Sequence, residues 1–96
     1  MGGKGILLVS HGQEYHAVPP AVKVEGTIGA GDSSVAGFVF GLVQGKELKD
    51  CLIYAAAAGT ATTLRHGTAL CQKDDFLRIV PQVKLNVLSR GREEER

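Results

Sequence analysis

The chain has 96 residues, 44% hydrophobic and 22% charged, which suits one small folded domain and not a disordered segment. Eleven basic residues against ten acidic leave a formal net charge of +1, so no global electrostatic pull toward nucleic acid or a membrane surface is expected. No apolar run approaches the ~18 residues of a transmembrane helix. Residues 6–9 are too short an apolar stretch for a secretory signal, and Ile6 stands where a myristoylation motif needs Ser or Thr.

In chain order, residues 5–10 read Gly-Ile-Leu-Leu-Val-Ser, a continuous apolar run that predicts a buried strand closed by a turn at His11-Gly12. Residues 14–18 alternate as a hairpin partner would, and Pro19-Pro20 ends regular pairing. Lys23-Val24-Glu25 is a brief extended lead into the glycine-rich segment Gly26-Thr27-Ile28-Gly29-Ala30-Gly31-Asp32-Ser33-Ser34. Asp32 is the predicted N-cap of a first helix, and Val35, Ala36, Val39, Leu42 and Val43 recur at helical spacing up to a terminator at Gly45. Gly37 and Gly41 each cost on the order of 1 kcal/mol of helix propensity, so their place in a helix predicts close approach by another element.

A second helix is expected over residues 47–64, with an alanine-rich middle at 55–61 suited to tight packing or to a flat ligand, and closed by Arg65-His66-Gly67-Thr68. Residues 74–80 predict a third, shorter helix ended by Pro81, residues 84–88 a small strand, and residues 89–96 a charged tail. Cys51 and Cys71 read as small apolar fillers, in keeping with a reducing cytoplasmic location. No C-x-x-C or H-x-x-x-H spacing occurs, so no protein-built metal site is expected. His11, His16 and His66 read as surface or capping residues, and Ser10 and Gly12 as part of the hairpin turn. One hairpin and three helices make too few strands for an α/β sheet covered on both faces, so the unit is expected to be incomplete alone.

The glycine-rich segment carries the chemistry. Small residues before a helix start leave main-chain N–H groups open to an anion at the positive end of the helix dipole, with a carboxylate beside it. This predicts phosphoryl transfer, in which Gly29, Ala30 and Gly31 supply N–H donors to developing phosphate charge and Asp32 accepts the proton of the attacking hydroxyl. On spacing alone Asp32 serves equally as a plain N-cap. Ser33 and Ser34 are first-turn helix residues, not nucleophiles.

The run Thr27-Ile28-Gly29-Ala30-Gly31-Asp32-Ser33 resembles the C-terminal signature of the ribokinase-like, or PfkB, carbohydrate kinases, D-T-x-G-A-G-D-[ST]. Gly2-Gly3-Lys4-Gly5, the Pro19-Pro20 break and the alanine-rich helix closing at Gly67-Thr68 extend the likeness over residues 2–88, with most similarity to the branch of 1-phosphofructokinase and tagatose-6-phosphate kinase. The resemblance implies the C-terminal part of a three-layer α/β/α fold, ATP with Mg2+, and a sugar-phosphate acceptor. It implies Asp32 as catalytic base and an anion hole at Gly29, Ala30 and Gly31. It also implies nucleotide contacts from Gly3, Lys4, Gly5, Gly31, Asp32, Ala55, Gly59 and Gly67.

Gly26 departs from the family pattern, which has a polar residue there that helps organise metal and phosphate. The family's sugar-binding lobe has no counterpart in residues 1–96, so this chain is expected to be a C-terminal segment that is inactive alone. It would need that lobe or another chain, and a homo-oligomer is a further option. The alternative is a nucleotide- or phosphate-binding remnant, or an assembly piece, that performs no chemistry.

Overall fold

The structure, a computed structural model, describes residues 5–10, 12–26, 29–64 and 72–89. The apolar run forms β1 (Ile6–Ser10) and its alternating partner β2 (Gln13–Val18). They pair antiparallel from Ile6 with Ala17 to Ser10 with Gln13. Gly12 takes a φ of 78° in the tight connection, a conformation that favours glycine. The expected C-terminal strand is present as β3 (Lys84–Ser89), one residue longer than the pattern indicates, and it pairs antiparallel with the other edge of β2. The sheet order is β1-β2-β3.

Period-two alternation sorts the sheet into two faces. Ile6, Leu8, Tyr15, Ala17 and Leu85 pack inward with Val83 around Leu52 and Ala56. On the opposite face Leu7 is 59% and Val9 49% exposed. The prediction of a fully buried strand is therefore corrected to a strand buried on one face, because the described residues place helices on only one side of the sheet.

Three helices follow: α1 (Ala30–Val43), α2 (Leu48–Thr62) and α3 (Lys73–Ile79). The last runs into a 3-10 turn, Val80–Gln82, where Pro81 stops the α-helix as expected. α2 is the hub, touching all three strands, α1 and α3. Its residues from Ala55 to Thr62 are all buried, so the alanine run serves packing.

The two α1 glycines explain how α1 and α2 approach so closely. A Cβ on Gly37 would stand 2.6 Å from the Tyr54 carbonyl oxygen and 2.9 Å from the Ala58 Cβ. A Cβ on Gly41 would stand 2.8 Å from the Cys51 Sγ and 3.0 Å from the Cys51 Cα. Cys51 is thus a filler beneath Gly41; burial, reinforced by the adjacent Asp50 carboxylate, pushes its thiol pKa up and keeps it protonated. The C-terminus of α1 ends as predicted. Gly45, at φ 77°, donates to the Leu42 carbonyl, and Lys46 donates to that of Gly41.

A partly buried hydroxyl pair joins the two helices at the other end. Thr62 Oγ1 lies 3.0 Å from the Ala58 carbonyl and 2.6 Å from Ser33 Oγ. The carbonyl can only accept, so Thr62 donates to it and receives the Ser33 hydroxyl proton. Thr62 is 2% exposed. Thr62→Val keeps the shape but strips the Ser33 hydroxyl of its acceptor. It is expected to cost about 1–2 kcal/mol, read as a fall in the midpoint of thermal unfolding by circular dichroism.

Candidate active site

The glycine-rich segment is held from both sides. Upstream, the amides of Glu25 and Gly26 both donate to the Thr63 carbonyl, at 2.7 and 3.3 Å, which anchors the approach to the end of α2. Downstream, the Ser33–Thr62 pair fixes the first turn of α1 to the same end of α2. Thr27 and Ile28 lie outside the described residues.

The helix begins earlier than Asp32 suggests. Gly29, at φ 85° and ψ −2°, is the N-cap, and its carbonyl accepts from Ser33 N–H at 2.9 Å. The expectation of Asp32 as N-cap is corrected: a glycine free to turn left-handed starts the helix at Ala30 and carries Asp32 into its first turn. No side chain caps this helix. The Asp32 carboxylate is exposed and is not consumed by a cap bond.

The N–H groups of Ala30, Gly31 and Asp32 precede the first i to i−4 bond, so they have no acceptor within the helix. Around them the two glycines play different parts. Gly29 is required by its own backbone angle. Gly31 has no such requirement, and a Cβ built on it meets nothing within 4 Å among the described residues. A glycine in a helix with empty space over it leaves room for something that comes close to the backbone.

Gly29 and Asp32 lie on an open cleft of about 830 Å3 between the three helices, together with Ser33, Ala36 and Gly37 from α1. Its other wall is aromatic and apolar. Phe40, Tyr54 and Phe76 meet there with ring centroids 5.7, 6.4 and 5.6 Å apart, one ring from each helix, and Lys73 stands on the α3 side. None of these four residues stood out in the sequence. They converge from three elements, and no local spacing encodes that meeting.

The other expected site residues fall elsewhere. Ala30 and Gly31 share the first turn of α1 with Asp32 but are not in the cleft lining. Ala55 and Gly59 are buried in α2 and do not line the cleft. Gly5 opens β1 at φ 87°, and a Cβ there would run into the Ala17 carbonyl oxygen, so its glycine character is explained by strand packing. Gly3, Lys4 and Gly67 lie outside the described residues. Among the described residues no group of three or more His, Cys, Asp or Glu side chains gathers as a metal site, and no helix is long and apolar enough to cross a membrane.

Comparison with known proteins gives one consistent result. The profile of pfkB family carbohydrate kinases matches residues 1–75. The chain is 39% identical over 79 residues to ATP-dependent 6-phosphofructokinase isozyme 2 of Escherichia coli, covering 82% of this chain and 26% of that protein. It is 35% identical over 86 residues to 1-phosphofructokinase of Borreliella burgdorferi, covering 88% of this chain and 27% of that one.

Among solved structures, phosphofructokinase-2 from Escherichia coli in complex with potassium superimposes with a TM-score of 0.79 at 39% identity, covering 83% of this chain and 26% of that one. A candidate phosphofructokinase from Staphylococcus aureus superimposes with a TM-score of 0.85 at 36% identity, covering 94% and 29%. The chain therefore spans about a quarter of the length of the curated relatives it matches. The mixed hairpin-and-helix architecture agrees with these neighbours, and the chain belongs to the pfkB family of carbohydrate kinases.

Proposed function

We propose that this chain carries the nucleotide-phosphate and catalytic-base part of an ATP-dependent kinase acting on a hydroxyl of a sugar phosphate, and that it works together with a separate acceptor-binding lobe. The observation that carries the reading is the start of α1: amides at Ala30, Gly31 and Asp32 without an acceptor inside the helix, a space over Gly31 that no described residue fills, and an exposed carboxylate facing the cleft. The names of the relatives supply the substrate class.

ATP fits the residues present, because the space a Gly31 Cβ would fill leaves a phosphate room to reach the backbone N–H groups. ATP supplies the phosphoryl group. The amides of the first turn bind and orient its terminal oxygens, and one preorganised donor of this kind is worth about 2.7–4 kcal/mol in the transition state. The helix dipole contributes less, about 0.3–1 kcal/mol. Asp32 Oδ would take the proton of the acceptor hydroxyl as the new O–P bond forms and the bond from the terminal phosphorus to its bridging oxygen breaks, with ADP as the leaving group. The described residues do not assemble a site for Mg2+, so no step is assigned to it here.

Gly31→Ala separates ligand binding from folding. With nothing within 4 Å of the added methyl, thermal stability is expected to hold or rise by up to about 1 kcal/mol. ATP affinity by calorimetric titration should fall roughly tenfold or more. Equal affinity of variant and parent, or no uptake of ATP by the parent chain, would count against the phosphate cradle.

A second reading, a nucleotide-binding piece without turnover, is favoured by Gly26, which has no side chain to offer and whose amide already donates to the Thr63 carbonyl. An assay that follows transfer of the γ-phosphoryl group in the assembled system distinguishes them.

A further inference from the structure

Both ends of the glycine-rich segment converge on the last turn of α2. The amides of Glu25 and Gly26 donate to the Thr63 carbonyl, and the Ser33 hydroxyl donates to Thr62 Oγ1 at 2.6 Å. Thr62 also reaches the helix start itself. Among the described residues its Cγ2 is the atom nearest to where a Cβ on Gly29 would stand, at 4.0 Å. One buried side chain therefore lies beside both the left-handed N-cap of α1 and the first turn that follows it.

The direction of the hydroxyl bonds is fixed. Thr62 has one hydroxyl proton, and the Ala58 carbonyl at 3.0 Å takes it, so Ser33 is the donor to Thr62. The turn has little else to hold it. No side chain caps α1, and its first backbone bond runs from Ser33 N–H to the Gly29 carbonyl. A helix end in that condition frays unless an outside contact restrains it. The hydroxyl pair supplies that contact, tying the residue after Asp32 to a helix buried from Ala55 to Thr62.

We propose that Thr62 is a positioning residue: through Ser33 it sets the first turn of α1, and with it the aim of the Ala30, Gly31 and Asp32 amides and of the Asp32 carboxylate. Thr62 itself does not line the cleft. The proposal rests on the kinase reading for what those groups receive, but the hold on the turn is measurable without any ligand.

The test uses the full 96-residue chain, with amide-resolved hydrogen exchange in the absence of ligand and calorimetric titration with ATP. Thr62→Val and Ser33→Ala each remove the hydroxyl bond. Each is expected to speed exchange of the Ser33 amide roughly threefold to tenfold, and to weaken ATP binding by a similar factor. The double variant should bind ATP no more weakly than either single one, because both changes remove the same bond. Thr62→Ser keeps the hydroxyl and should keep the parent's exchange and affinity. Ile79→Val, a truncation of a buried side chain in α3, should lower the unfolding midpoint and leave Ser33 exchange and ATP affinity alone. Ser33 is only half-buried, so Ser33→Ala serves if Thr62→Val does not fold.

Parent-like exchange at Ser33 once the hydroxyl bond is gone overturns the proposal. So does a Thr62→Ser chain that behaves as Thr62→Val, or an equal loss of ATP affinity in Ile79→Val, which would make the effect one of general stability. A parent chain that ignores ATP while Ser33 exchange responds as expected removes the phosphate cradle and leaves Thr62 setting the turn. A parent chain that binds ATP with an affinity indifferent to Thr62→Val and Ser33→Ala does the reverse.

Discussion

Asp32→Asn is expected to lower kcat by about 10²–10⁴-fold in the assembled kinase while leaving the affinity for ATP close to unchanged. That loss corresponds to about 3–5 kcal/mol of transition-state stabilisation. The substitution is isosteric and sits in the first turn of α1, where the carboxylate makes no cap bond, so the helix start should keep its shape. Loss of the favourable charge at the helix N-terminus costs only about 0.3–1 kcal/mol of stability. A steady-state assay with ATP and a fructose phosphate, run beside thermal unfolding, separates the two effects. Retained turnover would remove Asp32 as the base; a matching loss of ATP affinity would move its role from proton transfer to binding.

Gly37→Ala is the expected largest single loss of stability. The added methyl enters a space bounded by the Tyr54 carbonyl oxygen at 2.6 Å and the Ala58 Cβ at 2.9 Å. The first is backbone in mid-helix and cannot swing aside as a long side chain would. Helix propensity alone favours alanine by on the order of 1 kcal/mol. Overpacking costs typically about 1–3 kcal/mol, and a backbone contact belongs at the upper end. The net result should be a lower unfolding midpoint in spite of the better helix former. A higher midpoint would mean that α1 and α2 separate freely, and that the cleft geometry between them is soft.

Gly31→Ala is the informative contrast, since the same substitution in the same helix meets no atom of the described residues. Three glycines in one element thus have three different causes. Gly29 is needed for its left-handed turn, Gly37 for close approach by α2, and Gly31 for no contact among the described residues.

Much of the fold was legible because its signals are local. The apolar run of β1, the break at Pro19-Pro20, the Gly45 terminator and the stop at Pro81 each depend on a few neighbouring residues. The paired glycines of α1 correctly signalled a tight neighbour. The helix start was misplaced because two local signals compete there: an acid that commonly caps helices, and a glycine three residues earlier that can turn left-handed. Glycine won, and the acid was left exposed at the cleft.

Long-range features were not legible. The partly buried Ser33–Thr62 hydroxyl pair spans 29 residues, and Phe40, Tyr54 and Phe76 meet only once three helices have packed. The alanine run illustrates the same limit. Small residues suit either a ligand surface or close packing, and in this fold Ala55 and Gly59 are spent on packing. The exposed faces of β1 and α1 have a common origin: both elements are apolar on more sides than the described residues cover.

The most direct test of the phosphate cradle is an amide-resolved nuclear magnetic resonance titration of the chain with ATP, with adenosine as the control. If the start of α1 grips the phosphates, the N–H signals of Ala30, Gly31 and Asp32 move most with ATP and stay in place with adenosine. Signals at these three positions that ignore ATP, or that respond equally to adenosine, would contradict the account.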